Sequence, residues 1–115
     1  MRYIIDTNIL IGHLRGDTKA TSFLEEIEAS KKQAAISVIT EYEILVGIKT
    51  PAEQEKISSL LKIMPILTIT SNIVRKAAHF HRAYKTEIVD AIIAATACHT
   101  KATLLTRNTK HFSNI

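Results

Sequence analysis

Short apolar runs and longer stretches of helical periodicity take turns along this chain. Arg2–Ile5 is an apolar run closed by an acid, which predicts a buried strand. Thr7 or Asn8 is placed to cap a helix reaching about Arg15. Gly16-Asp17 interrupts it, and Asp17 is placed to cap a second helix to about Ala29. Ala34–Val38 reads as the second strand, followed by a helix that starts at Ser37 or Thr40 and ends at Gly47. Pro51 suits the first turn of a helix to about Lys62, and Pro65–Ile69 reads as a third strand. Ser71 opens a helix with Ile73, Val74, Ala77, Phe80 and Tyr84 on its apolar side. Glu87–Thr100 is apolar on nearly every side, which predicts burial on most faces. Ala102–Thr106 is a fourth strand.

Strands alternating with helices predict an α/β fold, with a parallel sheet of about four strands, right-handed crossovers and helices on both faces. The 115 residues suit one domain over 1–115, and an apolar share of 46 % is enough to build its core without staples. In such sheets ligands gather at the carboxyl ends of the strands. Asp6 directly follows the first strand, and Thr106-Arg107-Asn108 follows the last, so both fall at that edge.

Three acids stand where an acid is awkward. Asp6 ends MRYII, Glu43 interrupts the apolar helix pattern of ITEYEILVG, and Asp90 sits near the start of the most apolar helix. An ionised carboxylate beside an apolar core is costly unless it is paired or bound to metal, and no lysine or arginine lies within a helical turn of any of the three. Each alone reads as a helix cap or a distant ion pair, and Asp90 also suits the positive end of a helix dipole. Three on separate elements favour a shared site for a hard cation. Such a site, with Mg²⁺ or Mn²⁺, suits phosphodiester hydrolysis. Most of the remaining acids sit among lysines and polar residues, and Glu87 reads as a helix N-terminal acid or a group supporting the site ligands, the former preferred. Other chemistries lack their parts: there is no glycine-rich phosphate loop, no serine in a nucleophile elbow, and no His/Cys spacing for zinc. A phosphoacceptor receiver domain would need adjacent acids after the first strand and an acid after the third, where Leu67-Thr68-Ile69-Thr70 stands.

Charge sharpens this reading. Residues 1–71 carry eight Lys/Arg against nine Asp/Glu, whereas residues 72–115 carry seven against two, so the excess of +4 arises wholly in the last third. A lopsided basic surface suits a polyanion such as nucleic acid. The single cysteine, Cys98, excludes an internal disulfide, and its alanine-rich setting predicts a buried small side chain. With no apolar run of membrane length and no leader pattern at MRYIIDTN, the expected location is cytoplasmic.

Four stretches in order, YIIDTNILIGHLRG, SVITEYEILVG, VDAIIAATA and LLTRNTKHF, resemble the PIN-domain ribonucleases, and among them the VapC-like toxins of bacterial and archaeal toxin–antitoxin pairs. The resemblance covers nearly the whole chain. It implies a Rossmann-like parallel sheet, a Mg²⁺ or Mn²⁺ site at Asp6, Glu43 and Asp90, and endonucleolytic cleavage of RNA. It also implies a homodimer and a small antitoxin partner. Many relatives carry an Asp where this chain has Asn108 or, in a shifted alignment, His111; Asn108 is the expected fourth site residue. Arg107 and Lys110, flanking Asn108, are expected to hold RNA phosphates. The departure at Asn108 leaves an alternative, a PIN-fold module that binds RNA or protein without cutting.

Overall fold

Each apolar run forms a short strand, and polar side chains cap four of the helices that follow, in the computed structural model, which describes residues 2–107. The order is β1 (Arg2–Ile5), α1 (Thr7–Leu14), α2 (Thr18–Ala29), β2 (Gln33–Ser37), α3 (Val38–Val46), α4 (Pro51–Ile63), β3 (Ile66–Leu67), α5 (Ser71–Tyr84), α6 (Ile88–His99) and β4 (Thr103–Leu105). Side-chain oxygens at the helix starts take the backbone N–H groups that lack an intrahelical partner. Asp17 accepts from the N–H groups of Lys19 and Ala20, Ser37 from Ile39, Thr50 from Glu53 and Thr70 from Ile73. Gly16 turns the chain between α1 and α2 at φ +85°, a conformation open to glycine at little cost. The one marked shortening is β3. The Pro65–Ile69 run is partnered only by β2, so just Ile66 and Leu67 are held in the ladder.

All pairings are parallel, in the order β3-β2-β1-β4. Successive residues on a strand point to opposite faces. On one face Ile5 and Ile36 pack with Ile9 and Leu10 of α1, Ala20 of α2, Ile44 of α3 and Ile57 of α4. On the other, Ile4 packs against Ile93 and Ala97 of α6. Helix α5 lies on α6 rather than on the sheet, setting Ile73, Ala77 and Phe80 against Ala91, Ala94 and Ala95. Being sandwiched between the sheet and α5 explains why α6 is apolar almost all round. In its last turn Thr96 and Ala97 are still buried, but the next residue, Cys98, is exposed, not buried as its alanine-rich setting predicts.

Strand β1 is the point where the order of the sheet reverses: β2 and β3 lie to one side, β4 to the other. The crevice at the carboxyl ends of strands at such a reversal is where open parallel sheets bind ligands. Asp6 opens into it, its N–H held by the Leu105 carbonyl at 2.9 Å.

The two-sided packing gives a direct check. Ile93→Ala should cost about 2–5 kcal/mol in denaturant unfolding, because it leaves a cavity between α6 and the sheet. Ile88→Ala, on the same helix but 69 % exposed, should change stability by less than about 0.5 kcal/mol. Equal losses would mean that α6 does not seat on β1 as described.

Candidate active site

Asp6 occupies the N-cap position of α1 but does not cap it; its side chain accepts no hydrogen bond from the helix. The carboxylate is instead directed across the seam between β1 and β4, where the Thr106 hydroxyl donates to Oδ2 at 2.6 Å. Only 3 % of the residue is exposed, so this donor replaces much of what water would otherwise provide.

Glu43 is brought in by α3, which starts at the Ser37 cap straight after β2 and buries Thr40 and Ile44 on its core side. Glu43 flanks that buried face. The Thr7 hydroxyl, on the first residue of α1, donates to Glu43 Oε1 at 2.6 Å. Thr7 and Thr40 hydroxyls lie 3.2 Å apart. Since a hydroxyl has one proton and Thr7 gives its own to the carboxylate, this second contact completes a short chain ending on Glu43. Helix α6 supplies Asp90 from its first turn and Glu87 from its N-cap position. Like Asp6, Glu87 makes no capping hydrogen bond.

These residues meet in one pocket of about 300 Å³, lined by Asp6, Thr7, Asn8, Ile11, Glu43, Glu87, Val89 and Asp90. Four carboxylates thus share it, and among the described residues its wall holds no lysine or arginine. Among the described residues, however, no three acidic, histidine or cysteine groups stand close enough to grip one ion by themselves. The two observations are compatible for a hard cation that keeps part of its hydration. Mg²⁺ dehydrates reluctantly and is commonly held by one or two carboxylates with water completing its shell. Four carboxylates with this spread fit such an ion; with no histidine or cysteine among the described lining residues, they do not fit zinc, which wants a closed tetrahedron of nitrogen and sulfur ligands. A larger, mostly apolar hollow of about 390 Å³ at the opposite edge of the sheet has Arg2 as the one charged residue among its described lining residues.

The pocket therefore gathers Asp6, Glu43 and Asp90. Asn108, Lys110 and His111 lie outside the described residues. Arg107 is 39 % exposed and forms an ion pair with Asp17, the residue that caps α2. Three pocket participants were not singled out from the sequence as site residues. Thr7 reads as a helix cap, yet its hydroxyl serves Glu43; Thr106 reads as the end of a strand, yet it serves Asp6; Glu87, read first as a helix N-terminal acid and second as a supporting group at the site, lines the pocket. A hydroxyl residue directly after the first awkward acid, and another directly after the last strand, are the signals available for the first two.

The PIN domain family model matches residues 3–115. The chain is a PIN domain. Among curated relatives, "Ribonuclease VapC19" of Mycobacterium tuberculosis is 32 % identical over 114 residues, covering 95 % of this chain and 90 % of the relative. "Ribonuclease VapC10" of the same organism is 34 % identical over 115 residues, covering 95 % and 84 %. The fold closely matches a toxin–antitoxin complex from Klebsiella pneumoniae, with TM-score 0.85, 36 % identity, and coverage of 98 % of this chain and 92 % of that one. VapBC2 from Rickettsia felis, solved bound to a promoter DNA fragment, matches in fold with TM-score 0.82 at 24 % identity, over 100 % and 93 % of the two chains. This PIN domain is thus VapC-like in sequence and in architecture.

The hydroxyl–carboxylate bonds are open to test. Thr106→Val keeps the volume of the side chain and leaves buried Asp6 without that donor, so it should cost about 1–3 kcal/mol by denaturant titration in metal-free buffer. Thr7→Val should cost less, about 1 kcal/mol, because Glu43 is only half-buried and water can reach it. If Thr106→Val unfolds at the same denaturant concentration as the parent, the Asp6–Thr106 bond does not organise the site.

Proposed function

We propose that this PIN domain is an endoribonuclease dependent on Mg²⁺ or Mn²⁺ and the toxin of a toxin–antitoxin pair. The observation that carries the proposal is the carboxylate-rich pocket at the reversal point of the sheet, where Asp6, Glu43 and Asp90 arrive from three separate elements. Carboxylates tolerate such company when a cation shares the site. Asp6, Glu43 and Asp90 are its proposed ligands, directly or through water. When bound, the cation offsets charge on the phosphate and lowers the pKa of water. The chain's own part is to hold the carboxylates in place: Thr106 orients Asp6, and Thr7, backed by Thr40, orients Glu43. Asn108 is the proposed fourth group, offering a carbonyl acceptor in place of an acid.

RNA as the substrate is supported by the relatives, which are named ribonucleases, and by the basic last third of the chain. Arg107 and Lys110 are proposed phosphate contacts; for Arg107 that contact competes with its pair to Asp17. An antitoxin partner is supported by the toxin–antitoxin complex of the Klebsiella neighbour. Tyr42, Leu45 and Val46 form an exposed apolar strip on α3, surface that a partner would cover, and a homodimer is proposed alongside the antitoxin. No helix among the described residues is long and apolar enough to cross a membrane.

The purified protein should cut single-stranded RNA in Mg²⁺ or Mn²⁺ and fall silent in EDTA. Asp6→Asn and Glu43→Gln keep an acceptor for Thr106 and Thr7 while removing charge, so each should lose most cleavage. In EDTA each should melt at or above the parent's temperature, because like charges are relieved. Mg²⁺ should raise the parent's melting temperature more than either variant's, since binding to the native state stabilises it by mass action. Undiminished cleavage in excess chelator would overturn the metal chemistry. A metal-stabilised protein that binds RNA but never cuts it would be the non-catalytic module.

A further inference from the structure

Between Ser71 and Thr86 the chain carries four Lys/Arg and no Asp or Glu. All four cations, Arg75, Lys76, Arg82 and Lys85, are exposed, while Ile73, Ala77 and Phe80 turn the other way, onto α6. Arg75 and Arg82 are seven residues apart, which on a helix of 3.6 residues per turn places them on one face about 10.5 Å apart. That face is opposite the one packed on α6. Among the described residues no carboxylate pairs with Arg75, Arg82 or Lys85; the ion pair found there is Arg107 with Asp17. Lys76 lies over the Phe80 ring, 5.8 Å from its centroid. Helix stability does not call for this pattern. Cations favour the last turn of a helix through its dipole, which suits Arg82, but Arg75 and Lys76 lie near the other end with no acid to balance them.

The row of cations leads to the pocket. Lys85 closes α5 in the left-handed conformation at φ 54°, its N–H bonded to the His81 carbonyl at 2.9 Å. The His81 ring nitrogen Nδ1 lies 2.6 Å from the Thr86 carbonyl. The next residue, Glu87, lines the pocket wall. Two hydrogen bonds therefore fix the short link, and α5 and the carboxylate-bearing helix α6 form one hairpin. From Arg75 to Lys85 the face runs about 15 Å.

We propose that the outward face of α5 is a track for the phosphate backbone of single-stranded RNA, leading the strand to the acidic pocket. The inference rests on the ribonuclease reading and adds to it where the substrate lies outside the pocket. The carboxylates of the pocket repel a polyanion, and the exposed cations of α5 supply the attraction within the same hairpin. Phosphates displace counterions from these side chains without regard to base, so the track confers affinity and no sequence preference.

The test uses the full chain, a labelled single-stranded oligoribonucleotide and the double variant Arg75→Gln with Arg82→Gln. Glutamine preserves helix propensity closely. Lys56→Gln with Lys62→Gln on α4, both exposed, removes the same charge elsewhere. Binding is measured in EDTA across a salt series, and steady-state cleavage of the same RNA in Mg²⁺. Each lost single-strand phosphate contact should flatten the slope of log affinity against log salt by about 0.7, so the α5 variant should lose about 1.4. From about 50 to about 200 mM salt the parent should then lose roughly sevenfold more affinity than the variant. KM should rise with kcat nearly unchanged, and the α4 variant should match the parent in both. A parent that binds and cuts RNA, with the α5 variant equal to it or to the α4 control, overturns the track alone. A parent that neither binds nor cuts overturns the ribonuclease reading, and the track with it.

Discussion

A carboxylate shut away from water needs a donor from the protein, and Asp6 finds one across the seam between β1 and β4. That seam does several things at once. It joins the central strand to the edge strand in parallel, takes the Asp6 N–H on the Leu105 carbonyl, and brings the Thr106 hydroxyl to the carboxylate. Backbone pairing and side-chain orientation are thus one arrangement. The other pocket elements are referred to the same strand. Ile5 seats the layer that contains α1 and α3, with Thr7 and Glu43, and Ile4 seats α6, with Glu87 and Asp90. A displaced β1 would therefore disturb every wall of the pocket together.

Much of this was legible in the order of residues. Apolar runs and caps marked the strands and helices because both signals are local: Asp17, Ser37 and Pro51 act within a few positions of themselves. The three awkward acids were legible for a related reason, since each breaks an apolar pattern that is itself local. What escaped depends on neighbours distant in the chain. Thr7 reads as a cap until α3 is known to lie beside it, and Thr106 as a strand end until β4 is known to lie against β1. Glu87 sits where a helix acid belongs, and only the meeting of α6 with α1 and α3 turns it toward the pocket. Cys98 shows the converse error. Alanine-rich surroundings describe the helix as a whole, while burial is decided residue by residue, so that Ala97 is buried and Cys98 beside it is not.

The sequence also showed a basic last third without showing its geometry. Folding sorts those charges. Glu87 and Asp90 go to the pocket, Arg107 is engaged by Asp17, and the four cations of residues 71–85 remain on the outside of α5. Opposite charges thus occupy two parts of one hairpin held by an alanine-lined interface. Small side chains there let the two helices approach closely, and the short link at Lys85 and Thr86 keeps their ends in register. The field around this end of the molecule is a property of the hairpin as a unit.

The seam between the first and last strands also has a bearing on the order of events during synthesis. Asp6 and the hydroxyl that orients it are 100 positions apart. Contacts between such distant segments form late, because a long loop must close before they repay its entropy. A chain emerging from the ribosome displays Asp6 first, Glu43 next and Asp90 later still. It cannot complete β1's second pairing until residues 103–105 are free to join the sheet. Until then Asp6 waits without the frame that aims it. The topology thereby ties the maturation of the pocket to the emergence of β4.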